Sequence, residues 1–310
     1  MKNASFRQLR VFNEVARHLS FARAAEALHL TPPAVTMQVK ELEGHVGMPL
    51  FERSGKKISL TTTGEYMLVY VRKILGTLKE AEDAAARLTR AETGSLTIGM
   101  VSTAKYFLMR MMADFRQNHP GVDIQLAIGN RDHLVRLLQA NEVDLAIMGR
   151  PPKELNTRAE PFAAHPLGFV AAPAHPLARE GGPILLEELR NQEFVVRETG
   201  SGTRAAMDRF FESARMAPRY KLTATSNETL KQAVMAGLGL GFVSLHTIGK
   251  ELEYGDIVVL GVAGTPVVRA WNVVHMQSRV LSPMAEAFRY YMLEQGEAFM
   301  ATRYADSMKV

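Results

Sequence analysis

The sequence predicts two unlike parts: an N-terminal all-α winged helix-turn-helix continued by a long linker helix, and a C-terminal α/β domain of two lobes. Three observations carry that reading. The chain has 310 residues, too many for one small core. Residues 1–73 hold 11 Lys/Arg against 6 Asp/Glu, whereas the remainder holds 26 of each. The apolar spacing is helical over roughly the first ninety residues and then alternates strand with helix.

Composition narrows the classes. With 47% apolar and 22% charged residues the chain is ordinary globular material, not a disordered one. It has no cysteine, which excludes a disulfide scaffold, a thiol nucleophile and a Cys-ligated metal. Met1 to Arg7 form no apolar export segment, and no run approaches the roughly 18 apolar residues of a spanning helix. The expectation is a cytoplasmic protein with no membrane partner. A basic module fused to a neutral one points to a polyanion, of which nucleic acid is the commonest in a cytoplasm.

The first helix follows from Phe6, Leu9, Phe12, Val15 and Leu19, with Ser5 as its cap. Ser20 caps a short alanine-rich second helix to Leu28, and Thr31-Pro32 opens a third. The third buries Val35, Val39, Leu42 and Val46. Two short helices, a tight turn and a longer helix make a helix-turn-helix. Projection at about 100° per residue turns Pro33, Thr36, Met37 and Lys40 away from that stripe, towards a major groove. Thr31 and Pro32 open the same helix. Ser54-Gly55-Lys56 is a turn between two short runs, a basic hairpin on which Arg53, Lys56 and Lys57 would lie over phosphates.

Thr61 to Glu65 start a long helix running to about Arg90. Its Leu68, Val71, Leu75, Leu78, Ala85 and Leu88 are spaced nearly as heptads, a seam for a second copy of the chain. Packing of this helix on its own domain is the alternative. Two recognition helices on a two-fold axis would read a palindromic operator. Ala91 to Ser95 read as a hinge.

Leu9-Arg10-Val11-Phe12, Ser20-Phe21, Ala24-Ala25, Pro33-Ala34-Val35, Gln38, Leu42-Glu43, Pro49 to Arg53, Leu60-Thr61 and Gly64 resemble the LysR-type transcriptional regulators. The match is ungapped over about sixty residues. It departs from the family pattern at Pro32 and Met37, where glutamine and a polar or arginine residue are common. The resemblance implies a homodimer or homotetramer on double-stranded DNA, contact with RNA polymerase, and a C-terminal effector domain like the periplasmic solute-binding proteins.

The residues of that second half agree. Leu96 to Val101, Val122 to Ile128 and Asp144 to Met148 read as buried strands alternating with helices, as parallel sheets require. A change of texture near Arg150-Pro151-Pro152 and a return near Pro266 suggest two crossings between lobes. The domains expected are 1–62 for the winged helix-turn-helix, 63–91 for the linker and 92–310 for the effector domain. Its first lobe takes about 95–163 and 267–310, its second about 164–266.

Ligands in such sheets bind beyond the carboxyl ends of strands. Ser102, Thr103, Asn130 and Arg150 follow three strands of the first lobe. Thr199, Ser201, Gly202, Thr203 and Arg204 follow one of the second and open a helix, whose N–H groups suit an anion. Asn227 and Thr229 start another helix. These eleven residues form the expected effector site, for a reversible, anionic small molecule and no fixed cofactor. Gly237 to Gly241 follow a helix, the wrong order for a nucleotide fingerprint. No nucleophile elbow, P-loop or metal-spaced histidine pair occurs, so no reaction and no metal are expected. A cytoplasmic solute-binding protein is the distant alternative.

Within the family, Ser102 to Phe107, Gly129-Asn130-Arg131, Val143 to Pro152, Gly200 to Arg204 and Ser226 to Gly237 are similar to activators of the Calvin-cycle (RuBisCO) operons. That similarity implies a carbon-fixation operon and a phosphorylated or nucleotide metabolite as effector. A different operon with a small carboxylate effector is the alternative.

Overall fold

The computed structural model describes residues 4–54, 57–89 and 94–304. It divides into two units, 1–89 and 90–310.

In the first unit, α1 (Phe6–His18) opens on a reciprocal cap: Ser5 Oγ accepts the Gln8 N–H and Gln8 Oε1 accepts the Ser5 N–H. Ser20 caps α2 (Phe21–Ala27) through the Arg23 N–H. Thr31 caps α3 (Pro32–Val46) through the Ala34 N–H, with prolines in the first turn. Gly47 ends α3 at φ 81°, a conformation that glycine adopts without strain. The hairpin β1 (Phe51–Ser54) and β2 (Lys57–Leu60) is antiparallel, and α4 spans Thr62–Thr89. Phe12, Val15, Val35, Val39, Leu42 and Leu50 are buried together.

The linker helix packs in part on its own head. Val71 is fully buried in that core, and Leu68 and Leu75 pack against it. Those residues hold α4 to its own head, because a head of this size has too little other apolar surface to bury. Tyr66, Val69 and Tyr70 are 70%, 62% and 61% exposed on another face of α4. The placement of the Ala85 and Leu88 side chains, and the hinge residues Ala91 to Thr93, lie outside the described residues.

The second unit runs β3 (Ser95–Val101), α5 (Lys105–Asn118), β4 (Asp123–Gly129), α6 (Arg131–Gln139), β5 (Leu145–Met148) and β6 (Thr157–Ala171). It continues through α7 (Pro176–Glu180), β7 (Glu193–Arg197), α8 (Gly202–Ser213), β8 (Arg219–Ala224) and α9 (Asn227–Met235). β9 (Leu240–Ser244), α10 (Gly249–Glu253), β10 (Val258–Val259), β11 (Val267–Met276) and α11 (Pro283–Tyr304) complete it. The strands form one sheet in the order β4-β3-β5-β11-β6-β9-β7-β8, with β10 beside β6.

β3, β4 and β5 are parallel, and so are β7, β8 and β9. Between these sets run β6 and β11, antiparallel to each other. The sheets are therefore mixed, not purely parallel as the strand–helix alternation suggested. The crossing lies inside β6: it pairs with β11 from Thr157 to Leu167 and with β9 from Leu167 to Val170. β6 contains Pro161 and Pro166. Both fall where β6 has a partner on one side only, and a register shift beside Pro161 absorbs the first.

Each lobe has its own core. Ile98, Met100, Phe107, Phe115, Trp271 and Phe288 fill the first, and Phe169, Phe194, Phe211 and Phe242 the second. Each such aromatic buried contributes about 1.5–3 kcal/mol, so the lobes are stiff bodies joined through two strands.

Candidate effector cleft and DNA-contacting face

On the head, Thr31, Pro32, Pro33, Met37 and Lys40 are exposed and Thr36 is half-buried. Met37 is 54% exposed. Thr36 donates its hydroxyl proton to the Pro32 carbonyl at 2.9 Å. Its oxygen is thus left as an acceptor, and a base donor such as an exocyclic amine is its match. Thr31 is engaged as the helix cap. The side chains of Arg53 and Lys57, and Lys56 as a whole, lie outside the described residues.

In the second unit, the ends of β3, β5 and β7 and the start of α8 line a narrow cavity between the lobes. Seven of the eleven expected residues line it: Ser102, Thr103, Asn130, Arg150, Ser201, Gly202 and Thr203. A shallower recess beside it is lined by Thr199 and Arg204 and shares Arg150 and Ser201 with the first. Ser201 stands at the N-cap of α8 without capping it. It is buried, so its hydroxyl and the first N–H groups of α8 remain available to a ligand.

Arg204 is already engaged. Its Nε donates to Asp208 at 2.9 Å, its Nη1 to the Arg197 carbonyl at 3.1 Å, and its plane lies 4.1 Å from the Tyr220 ring centre. Asn227 and Thr229 are corrections, since neither lines the cavity or the recess. Asn227 donates to the Tyr106 hydroxyl at 3.3 Å, and the Thr229 N–H is capped by Ser226 at 3.0 Å. Thr229 thus serves the local start of α9, whereas Asn227 bridges to α5 of the other lobe.

Several cavity residues escaped the sequence reading. Arg269 comes from β11, a strand with no turn or glycine signal to mark it. Its Nη1 donates to the Gly202 carbonyl at 3.3 Å. Among the described residues neither Arg269 nor Arg150 has a carboxylate in ion-pair range. Burial pushes the Arg269 guanidinium down to about 10, and the charges of Arg209 and Arg150 push it the same way. Arg131 and Arg197, by contrast, are neutralised: Arg131 by Glu154 at 2.9 Å and Arg197 by Glu198 at 2.8 Å. Glu198 also accepts from Asn130 at 3.3 Å, which holds the lobes together across the cleft.

His165, in β6, is the other unforeseen residue. It lines the cavity, is 5% exposed, and has no hydrogen-bond partner at either ring nitrogen among the described residues. Burial, then the nearby His246 and Arg269, hold it well below the usual histidine range, so it is neutral. Gly149 makes room for it: a Cβ there would sit 2.4 Å from His165 Nδ1. Two unpaired guanidiniums, a neutral imidazole with a free donor and an open helix N-terminus fit an anion that also accepts hydrogen bonds. Among the described residues no group of His, Asp and Glu could hold a metal ion.

A helix-turn-helix head beside a separate two-lobed domain with a cleft of this kind defines a ligand-responsive DNA-binding regulator. Comparison with known proteins gives the family. Residues 6–65 match the bacterial regulatory helix-turn-helix proteins of the lysR family, and residues 89–297 match the LysR substrate binding domain. The chain belongs to the LysR family of transcriptional regulators, which are not enzymes. It is 50% identical over 308 residues to the HTH-type transcriptional regulator CfxR of Cupriavidus necator, covering 99% of this chain and 97% of that one. It is 47% identical over 293 residues to the RuBisCO operon transcriptional regulator of Allochromatium vinosum, covering 94% and 97%.

Among solved structures, the CcmR regulatory domain of Synechocystis in complex with 2-PG is 33% identical, with a TM-score of 0.63 over 65% of this chain and 96% of that one. Full-length CbnR complexed with its target DNA shares the fold at 23% identity, with a TM-score of 0.66 over 93% and 98%. No helix of the described residues is long and apolar enough to cross a membrane.

Proposed function

We propose that the protein regulates a carbon-fixation operon from the cytoplasm, as a homodimer or homotetramer on a palindromic site, and that a phosphorylated metabolite bound between the lobes sets its activity. The observation that carries the ligand class is the pair of unpaired guanidiniums, Arg150 and Arg269, in a cavity that also holds the open end of α8. A phosphate accepts from several such donors at once and removes their mutual repulsion. The 2-PG complex of CcmR supports an anion of small size. The names of the CfxR and RuBisCO operon relatives support the target.

Binding would tighten the cleft, and the residues between the units would pass that change to the DNA-binding heads. Contact with RNA polymerase belongs to the same reading. The test is calorimetric titration of the full chain with 2-PG, ribulose bisphosphate, phosphoenolpyruvate, NADPH and benzoate. Phosphorylated ligands should bind and lose affinity in Arg269→Gln. Binding of benzoate alone would replace this reading with that of a regulator for a small carboxylate.

A further inference from the structure

A second cavity lies in the same unit, bounded by α5, α9, α10 and the end of α11, with about 1480 Å³ of empty space open to solvent. Arg110, Lys231, Lys250 and Arg303 line it against two carboxylates, Glu251 and Glu253. Lys231 is buried and spoken for: its Nζ donates to Glu251 at 2.6 Å and to the Thr247 carbonyl at 3.2 Å. Arg110, Lys250 and Arg303 have no carboxylate in ion-pair range among the described residues. Arg110 and Arg303 converge, since both charges act on the Tyr304 hydroxyl. Cations gathered round a concavity focus their field there.

One buried side chain in the wall points to a ligand independently of those charges. His246 is 2% exposed and lines this cavity. Its Nδ1 accepts the Trp271 indole N–H at 3.1 Å, so in the neutral ring the proton sits on Nε2. Burial keeps the ring neutral, down at about 4. No hydrogen bond within the described residues engages Nε2.

We propose that this cavity is a second anion-binding site, taking a polyvalent phosphate between Arg110, Arg303 and Lys250, with the His246 Nε2–H as its deepest donor. It is separate from the cleft proposed above, and the two share a wall. His165, facing the first cavity, stacks on Trp271 at 3.8 Å between ring centres, and Trp271 bonds to His246, facing the second. An anion in either cavity therefore acts on the same indole.

Trp271 is the chain's one tryptophan, so its fluorescence reports on this wall alone, and phosphate bound elsewhere on the basic head is silent. The experiment titrates the full chain with inorganic tripolyphosphate and follows that emission. A saturable change is expected, weakened at least about tenfold by Arg110→Glu or Arg303→Glu, as for lost charged hydrogen bonds. Both residues are exposed, so the variants should fold, which circular dichroism checks. Arg269→Gln should retain a saturable tripolyphosphate response, even with the inter-lobe cleft disabled. No saturable change, equal affinity in both charge-reversal variants, or loss in Arg269→Gln would each overturn the second site. Absence of a 2-PG response with the tripolyphosphate response intact would instead strike the inter-lobe reading.

Discussion

Arg269 shows how a single side chain carries the ligand argument. A guanidinium that is half-buried beside two like charges is held there at a cost to the ligand-free protein. Arg269→Gln should therefore weaken phosphate binding by about 1.5–3 kcal/mol, the range for a charged hydrogen bond. Its ligand-free melting temperature should stay equal to wild type or rise. A calorimeter and a thermal scan separate the two effects. A merely structural arginine would lose stability and affinity together. The buried imidazoles give a pH signature of their own. The folded state holds His165 and His246 below the unfolded value of about 6.5, His246 at about 4. The unfolded chain binds protons that the folded one refuses, so their contribution to stability is intact above about pH 6.5 and lost as pH falls towards 4. Melting temperature should drop over that window, and less steeply in His246→Asn.

Secondary-structure elements divide into those the sequence marks and those it hides. Caps at Ser5, Ser20 and Thr31 and the apolar spacing of α3 are local signals, and the head folds as they dictate. The end of β7 and the start of α8 are equally legible, because Gly200 must take φ 88° there and a Cβ would strike the Asp132 carboxylate at 2.7 Å. Arg269 and His165 were not legible. They sit inside β11 and β6, and only the pairing of two strands about a hundred residues apart brings them to the cleft. Part of the α4 stripe lies against its own head for a related reason: heptad spacing specifies an apolar stripe and says nothing of which partner covers it. Two substitutions separate the faces. Leu75→Asp should destabilise the head by burying a charge, seen as a lower melting temperature of the DNA-binding unit. Tyr70→Asp should leave that temperature unchanged and shift sedimentation towards the monomer. A Tyr70→Asp protein that sediments as wild type would place the self-association of the chain elsewhere. On the groove face of α3, Thr36→Ala should cost about 1–3 kcal/mol of discrimination between cognate and scrambled DNA, measured by mobility shift.

At the scale of the whole molecule, two lobes joined by β6 and β11 meet through polar contacts across the cleft, among them Asn227 and Glu228 with Tyr106. Asn130 to Glu198 and Ser102 to Arg197, at 3.3 and 3.5 Å, lie at the mouth of the cleft. A ligand that binds Arg150 and Arg269 adds to these contacts and favours one lobe arrangement over others. The most direct measurement is the affinity of the full chain for operator DNA from a carbon-fixation promoter, with and without 2-PG, in wild type and Arg269→Gln. 2-PG should change the mobility or affinity of the wild-type complex, and Arg269→Gln should bind the same DNA but no longer respond. A 2-PG response that survives unchanged in Arg269→Gln would contradict binding in the cleft.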